Sequence, residues 1–249
     1  MYQNKKILCV LPARLESKRF PRKVLYPFCG KPMVIHVYDR IKSSKLIDNT
    51  LVATDDILIM DTAKKYTVPC ILTSKNHVSG SDRVGEVMHL KAFQSYDLII
   101  NCQADEPLIQ ANDLDQLIIF FLSEQVDRTI GTLSCALLPI EKENNNRVKV
   151  RVDDHGYLLD CKRLLDPKDQ KFTWQKHIGI YLYTRNVLGE YLALPPSKNE
   201  QRLKLEQFRA IDAGMKFRIL QTSHKLYSVD TLEDTGEVEA QLNNEIEKI

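Results

Sequence analysis

The sequence has no apolar run approaching the roughly 18 residues that a membrane-spanning helix needs, and almost no net charge: 35 Lys and Arg stand against 33 Asp and Glu, leaving +2 over 249 residues. The first absence argues against membrane insertion. The second argues against bulk binding to nucleic acid or a membrane surface, although a balanced total can hide a local cluster. Closely spaced cysteines are also missing. Cys9, Cys29, Cys70, Cys102, Cys135 and Cys161 lie at least 20 residues apart, so no two make a zinc knuckle or a C-x-x-C pair. Most fall in apolar, strand-like stretches and read as buried, reduced thiols of a cytoplasmic protein. The amino terminus, Met1 to Lys6, enters an apolar stretch too short for a secretory signal. Neither G-x-x-x-x-G-K-[ST] nor G-x-G-x-x-G occurs, which disfavours a P-loop and a Rossmann dinucleotide site. No internal repeat or low-complexity tract is present.

What remains is 43% hydrophobic and alternates in rhythm. Short continuous apolar runs, as in strands buried on both faces of a parallel sheet, cover Ile7 to Leu11, Thr50 to Thr54, Cys70 to Thr73, Leu98 to Cys102 and Ile130 to Ala136. Helical spacing fits Lys31 to Ser44, Ile57 to Tyr66, Asp82 to Phe93 and Asn112 to Ser123. This order predicts a doubly wound α/β sheet whose ligand crevice lies beyond the carboxyl ends of the strands. The second half predicts antiparallel strands at Val148 to Val152, Tyr157 to Asp160 and Ile178 to Tyr183, with a turn at Asp153 to Gly156. A helix over Asn199 to Ala213, a strand over Phe217 to Thr222 and a closing helix from Leu232 to Ile249 follow.

Two clusters carry chemistry. After the first strand, Arg14, Lys18, Arg19, Arg22 and Lys23 place five cations in ten residues. At a strand end, this suits a polyanion such as a nucleoside triphosphate, with arginine forks and a lysine point charge on the phosphates. Asn101-Cys-Gln-Ala-Asp-Glu-Pro107 follows the fourth strand and offers Asp105 to a hard divalent cation; a plain turn is an equally open reading. Asp230, in Ser228-Val-Asp-Thr-Leu-Glu-Asp234, is either a second carboxylate for that cation or a helix N-cap.

Together these segments resemble a known family. Leu11-Pro-Ala-Arg-x-x-Ser-x-Arg-Phe-Pro-x-Lys23, Gly30-Lys-Pro-Met33, Ala53-Thr-Asp55, His77-x-Ser-Gly-Ser-Asp-Arg83, Gln103-x-Asp-Glu-Pro107, His177-Ile-Gly-Ile-Tyr181, Leu205-Glu-Gln-x-Arg209 and Val229-Asp-Thr-x-Glu-Asp234 are similar to the 3-deoxy-manno-octulosonate cytidylyltransferases (CMP-Kdo synthetases). The resemblance implies a Rossmann-like nucleotidyltransferase fold, glycosyltransferase-A-like. This is a three-layer α/β sandwich with a mostly parallel mixed sheet and a small β-rich subregion for dimerisation and the sugar. The whole of 1–249 would be one domain: a nucleotide-binding half over 1–140, a sugar-side elaboration over 141–230 and a closing helix over 231–249.

The implied reaction moves CMP from CTP to the anomeric hydroxyl of 3-deoxy-D-manno-octulosonate (Kdo) and releases pyrophosphate, for lipopolysaccharide synthesis, with Mg²⁺ as cofactor and a homodimer as the working form. By the same resemblance Arg14, Arg19 and Lys23 are catalytic, and Pro12, Ala13, Ser81, Arg83 and Gln103 join them at the nucleotide. Asp105 and Asp230 hold the metal; His177, Tyr181, Glu206, Gln207 and Arg163 face the sugar acid. Four positions apart in a strand, His177 and Tyr181 share a face, whereas the adjacent Glu206 and Gln207 point about 100° apart on a helix.

The chain departs from the family pattern in places. Arg22 and Ala104 replace glycines that would permit positive φ or close backbone approach, and Leu232 replaces a proline. Tyr157-Leu-Leu-Asp-Cys-Lys-Arg163 replaces a Tyr-Phe-Ser-Arg sequence, with Arg163 in the arginine's place. These changes leave two alternatives: transfer to a related sugar acid such as the 8-amino analogue, or a weakened nucleotide-binding paralogue.

Overall fold

The computed structural model describes residues 1–124 and 126–246, and the last residues of the expected closing helix, 247–249, lie outside that range. The chain forms two compact units: Met1–Asp115 together with Leu226 onward, and Gln116–Lys225.

In the first unit, strand β1 (Ile7–Ala13) lies between β4 (Asn49–Thr54) and β6 (Leu98–Cys102), with β5 (Cys70–Leu72) beyond β4, all parallel. Ile7, Leu8, Cys9, Val10 and Leu11 are completely buried, as a strand covered on both faces requires. Each large aliphatic chain withdrawn from water in this way contributes about 1.5–3 kcal/mol. A two-residue hairpin, β2 (Pro27–Phe28) and β3 (Lys31–Pro32), leads into α1 (Met33–Lys42). Proline cannot donate within a helix, so this helix starts two residues later than its periodicity suggests. Helix α2 (Ile57–Lys65) is capped by Asp56, whose carboxylate accepts from Leu58 N at 2.8 Å. Helix α3 (Gly80–His89) opens on a capping box in which Ser79 and Asp82 satisfy each other's backbone N–H. It also starts two residues earlier than expected. A Cβ on Gly80 would stand 3.1 Å from Pro12 Cγ, so the glycine lets the helix start close to the end of β1. Helix α8 (Thr235–Ile246) closes this unit through Tyr26–Glu239 (3.4 Å) and Arg40–Glu245 (2.5 Å) contacts.

Helix α4 (Ala111–Leu122) contains the division between the units. In the second unit, β7 (Thr129–Ala136) pairs parallel with β11 (Lys216–Gln221) and antiparallel with β10 (Gln175–Thr184). The hairpin of β8 (Lys149–Val152) and β9 (Leu158–Lys162) adds to β10. The strand pairing is thus mixed, parallel across β5, β4, β1 and β6 and between β7 and β11, and the β-rich second half is present as expected. At the hairpin turn Gly156 has φ +85°, and a Cβ there would lie 2.9 Å from the Ile219 carbonyl, so the position admits no side chain without displacing backbone.

The expected helix over Asn199 to Ala213 is two short helices, α6 (Lys198–Leu203) and α7 (Gln207–Asp212). Lys204 breaks it with φ 54° and ψ 44°, and the Arg163 guanidinium takes its carbonyl at 2.9 Å. A further helix, α5 (Arg185–Ala193), follows β10 and was not anticipated; Thr184 Oγ caps it by accepting from Val187 N. The expectation of buried thiols holds for Cys9, Cys102, Cys135 and Cys161, while Cys70 is half-buried and Cys29 exposed. Among the described residues no helix is long and apolar enough to cross a membrane.

Candidate active site

The basic loop leaves β1 and returns on itself: Arg22 N donates to Leu15 O at 3.1 Å, and Lys23 starts a 3₁₀ turn, Lys23–Leu25. Phe20 stacks edge-on against Tyr26, and Tyr26 against the fully buried Phe28. These contacts pin the loop while Arg14, Lys18, Arg19 and Arg22 stay outside. Arg14 and Lys18 are exposed and, among the described residues, bond to no protein group. They are the cations most available to phosphate oxygens.

Lys23 is the loop's inward cation. Its ammonium donates to Asp105 Oδ2 at 2.5 Å and to Val229 O at 2.7 Å, and lies 4.0 Å from Asp230 Oδ1. Arg19 reaches the same Asp230 oxygen at 2.5 Å. Two carboxylates 125 positions apart in sequence therefore meet around one positive charge. The loops carrying them are stitched together twice, by Val229 N to Asp105 O at 2.9 Å and by Ser228 Oγ to Glu106 Oε1 at 2.6 Å. Glu106 is only 3% exposed, so the Asp-Glu-Pro segment is a built junction and more than a turn. The N-cap reading of Asp230 does not apply: Thr231 occupies the cap, and Asp234 accepts from Asp230 N and Thr231 N at 2.8 Å.

The chemistry of these donors suits magnesium. That cation is usually held by one or two carboxylates, waters and substrate phosphates rather than by an all-protein cage. Asp105 and Asp230 supply two hard oxygens already converging on a cation, here Lys23 Nζ. Among the described residues no group of three or more His, Cys, Asp or Glu could hold a metal unaided. The donor set therefore suits a metal that arrives with a polyphosphate.

Arg22 sits at φ 58° and ψ 23°, the left-handed region that costs an L-residue about 1–2 kcal/mol. The backbone keeps the conformation glycine would supply. Arg22→Gly is expected to stabilise the protein by up to about 1 kcal/mol, the relief being partly offset by the greater freedom of glycine in the unfolded chain. Urea unfolding midpoints measure this, and a loss of stability would contradict it. Ala104, by contrast, is buried and has no positive φ, so its methyl brings no backbone strain.

The other nucleotide candidates gather at the first turn of α3 and the end of β6. Ser81 is buried and accepts from Asn101 Nδ2 at 3.3 Å. Arg83 is buried too, paired with Asp55 at 2.9 Å and hydrogen-bonded to Thr73 Oγ. Its guanidinium is thus oriented by Asp55, a residue the motif contained without a role. Pro12 packs against Gly80, Ala13 ends β1 in the core, and Gln103 is half-buried at the end of β6.

In the second unit, a β-bulge between Ile178 and Tyr181 inserts two residues yet keeps His177 and Tyr181 on one face, with rings 5.5 Å apart. Gln207 is buried and donates to Tyr181 Oη at 2.9 Å, while its neighbour Glu206 is exposed. One of the pair holds the shell and the other points outward, as their helical offset requires. Arg163 spends donors on the carbonyls of Asn145 (3.2 Å) and Lys204 (2.9 Å), bracing the segment that carries Glu206.

Burial lowers the His177 pKa from 6.5 to about 4. The unfolded chain then binds a proton that the folded chain refuses. This stability is present above pH 6.5 and is lost as pH falls from 6.5 to about 4, roughly 3 kcal/mol in all. Denaturant unfolding at pH 7 and pH 4.5 should show a smaller loss in His177→Gln than in the parent; equal losses would remove His177 as the cause.

Comparison with known proteins identifies the family. A cytidylyltransferase family model matches residues 8–217. The 3-deoxy-manno-octulosonate cytidylyltransferase of Thermodesulfovibrio yellowstonii is 41% identical over 95% of this chain and 98% of its own. The 8-amino-3,8-dideoxy-manno-octulosonate cytidylyltransferase of Shewanella baltica is 34% identical over 95% and 98%. A solved CMP:2-keto-3-deoxy-manno-octonic acid synthetase, in complex with CTP, superimposes with a TM-score of 0.87 at 34% identity, covering 97% of this chain and all of that one. The chain belongs to the cytidylyltransferases, in the 3-deoxy-manno-octulosonate cytidylyltransferase family.

Proposed function

We propose that the protein transfers CMP from CTP to the anomeric hydroxyl of 3-deoxy-D-manno-octulosonate, releasing pyrophosphate. The observation that carries the reading is Lys23, held between Asp105 and Asp230 at the end of a loop whose Arg14 and Lys18 are uncommitted. The sugar hydroxyl attacks the α-phosphorus, forming a P–O bond as the bond to pyrophosphate breaks. Such a reaction is promoted by placing two anionic reactants in line and offsetting charge on the phosphoryl and leaving oxygens. Arg14, Arg19 and Lys23 supply that charge from the loop. Asp105 and Asp230 would hold Mg²⁺, which when bound neutralises phosphate charge and lowers the pKa of a coordinated hydroxyl. Pro12, Ala13, Ser81, Arg83 and Gln103 would bind the nucleotide; His177, Tyr181, Glu206, Gln207 and Arg163 would position the sugar acid.

The product's use in lipopolysaccharide synthesis, a cytoplasmic location beside the CTP pool and a homodimer joined through the β-rich second half belong to the same reading. Pyrophosphate release from CTP, with and without Mg²⁺, against Kdo and its 8-amino analogue tests it. Release with Kdo that requires Mg²⁺ supports the proposal. Release only with the 8-amino acid favours the alternative motivated by the altered Leu158 to Arg163 stretch. Silence with both acids leaves a nucleotide-binding paralogue.

A further inference from the structure

One hydroxyl with no place in the reading above governs the chemistry of His177. Thr132, in β7, is 1% exposed. Its Oγ lies 2.6 Å from the Ile180 carbonyl and 3.0 Å from His177 Nε2. A carbonyl only accepts, so the single hydroxyl proton goes to Ile180. The contact with the imidazole is then an N–H donated by Nε2 to the hydroxyl oxygen. The opposite assignment would leave two oxygens 2.6 Å apart with no proton between them. The bulge makes this geometry available, because Gly179 and Ile180 are the two residues inserted between the Ile178↔Leu133 and Tyr181↔Thr132 pairs. The other ring nitrogen, Nδ1, makes no hydrogen bond among the described residues.

We propose that Thr132 is a positioning residue that fixes His177 as its Nε2–H tautomer, so that the Nδ1 lone pair accepts a hydrogen bond from a hydroxyl of the sugar acid. The proposal rests on the sugar-binding reading of His177. It assigns the imidazole to a hydroxyl rather than to the substrate carboxylate, since a neutral ring brings no positive charge to an anion. Burial, which lowers the His177 pKa to about 4, keeps the ring neutral at physiological pH. A protonated ring would donate from both nitrogens and reverse the preference.

The test uses the full chain. ¹⁵N-edited NMR at pH 7, with the His177 signals identified by their loss in His177→Gln, is expected to show a proton on Nε2 and none on Nδ1. Thr132→Val keeps the side-chain shape and removes the hydroxyl. It is expected to lose the single-tautomer pattern and to raise KM for the sugar acid about tenfold, the effect of one hydrogen bond, with KM for CTP unchanged. Thr132→Ser should restore both. A proton on Nδ1 in the parent protein overturns the proposal, as does a Thr132→Val protein with the same tautomer and sugar KM as the parent. Absence of turnover by the parent with every octulosonate would sink the substrate reading alone, and the parent's NMR spectrum would still decide the tautomer.

Discussion

Lys23→Met should lower kcat for pyrophosphate release by about 10²–10³, and Asp105→Asn should do comparable damage. Removing one preorganised group that meets charge developing in a transition state typically costs about 2.7–4 kcal/mol. Lys23 is suited to that role because its ammonium is fixed, not mobile. It is 13% exposed as a side chain and tied to Asp105, Val229 and Asp230. Methionine keeps most of the unbranched stem and removes the ammonium, with both its charge and its hydrogen-bond donors. The split between constants is informative: an interaction made chiefly in the transition state lowers kcat and kcat/KM together, whereas uniform binding raises KM alone. Thermal melting controls for folding. Turnover within about fivefold of the parent in both variants would remove the pair from the chemistry. Arg19→Met is expected to be milder, because the Arg19 side chain is 52% exposed and solvent can partly replace it.

Glu200→Met should cost about 3–5 kcal/mol of folding free energy, the usual consequence of leaving a buried charge without its partner. Arg209 grips Glu200 bidentately, Nε to Oε2 at 2.9 Å and Nη2 to Oε1 at 2.6 Å, with the side chains only 8% and 11% exposed. The guanidinium cannot shed its proton, and its bond to Glu200 raises its pKa further. The pair spans the break at Lys204, with Glu200 in α6 and Arg209 in α7, so it also holds the segment bearing Glu206 and Gln207. Glu200→Met with Arg209→Met should recover most of the loss. About 1 kcal/mol would remain missing, because Glu200 also closes the capping box with Ser197. Urea titration with an unchanged m-value is the measurement; a single-variant loss below about 1 kcal/mol would show that the guanidinium finds water or another acceptor.

Features set by local chemistry were legible in the sequence. The Leu98 to Cys102 strand runs between its expected ends, because an apolar run between polar flanks has nowhere else to begin or end in a doubly buried sheet. The clustering of Arg14 to Lys23 at a strand end was equally readable. What escaped depended on partners distant in the chain. Nothing in Leu203-Lys-Leu-Glu206 is a helix breaker, and the left-handed Lys204 accompanies a hydrogen bond from Arg163, 41 positions away. Asp55 and Glu106 lay inside the recognised motifs and Ser228 directly before one, yet their parts in orienting Arg83 and joining the two acidic loops emerge only when Thr73, Val229 and the loops come together. Thr132 carries no sequence signal at all, since an isolated threonine in a strand is ordinary.

The stitching of Asp105 to Val229 and of Glu106 to Ser228 also dictates when a growing chain can acquire its acidic pair. The first unit is discontinuous, with residues 116–225 between its two segments. Closing that interval is a long-range event of the kind that slows folding. A nascent chain that has released residues 1–220 therefore carries the whole cationic loop and Asp105 but not yet Asp230. The acidic pair comes into existence only when the segment carrying Ser228, Val229 and Asp230 leaves the ribosome and meets the loop that carries Asp105 and Glu106.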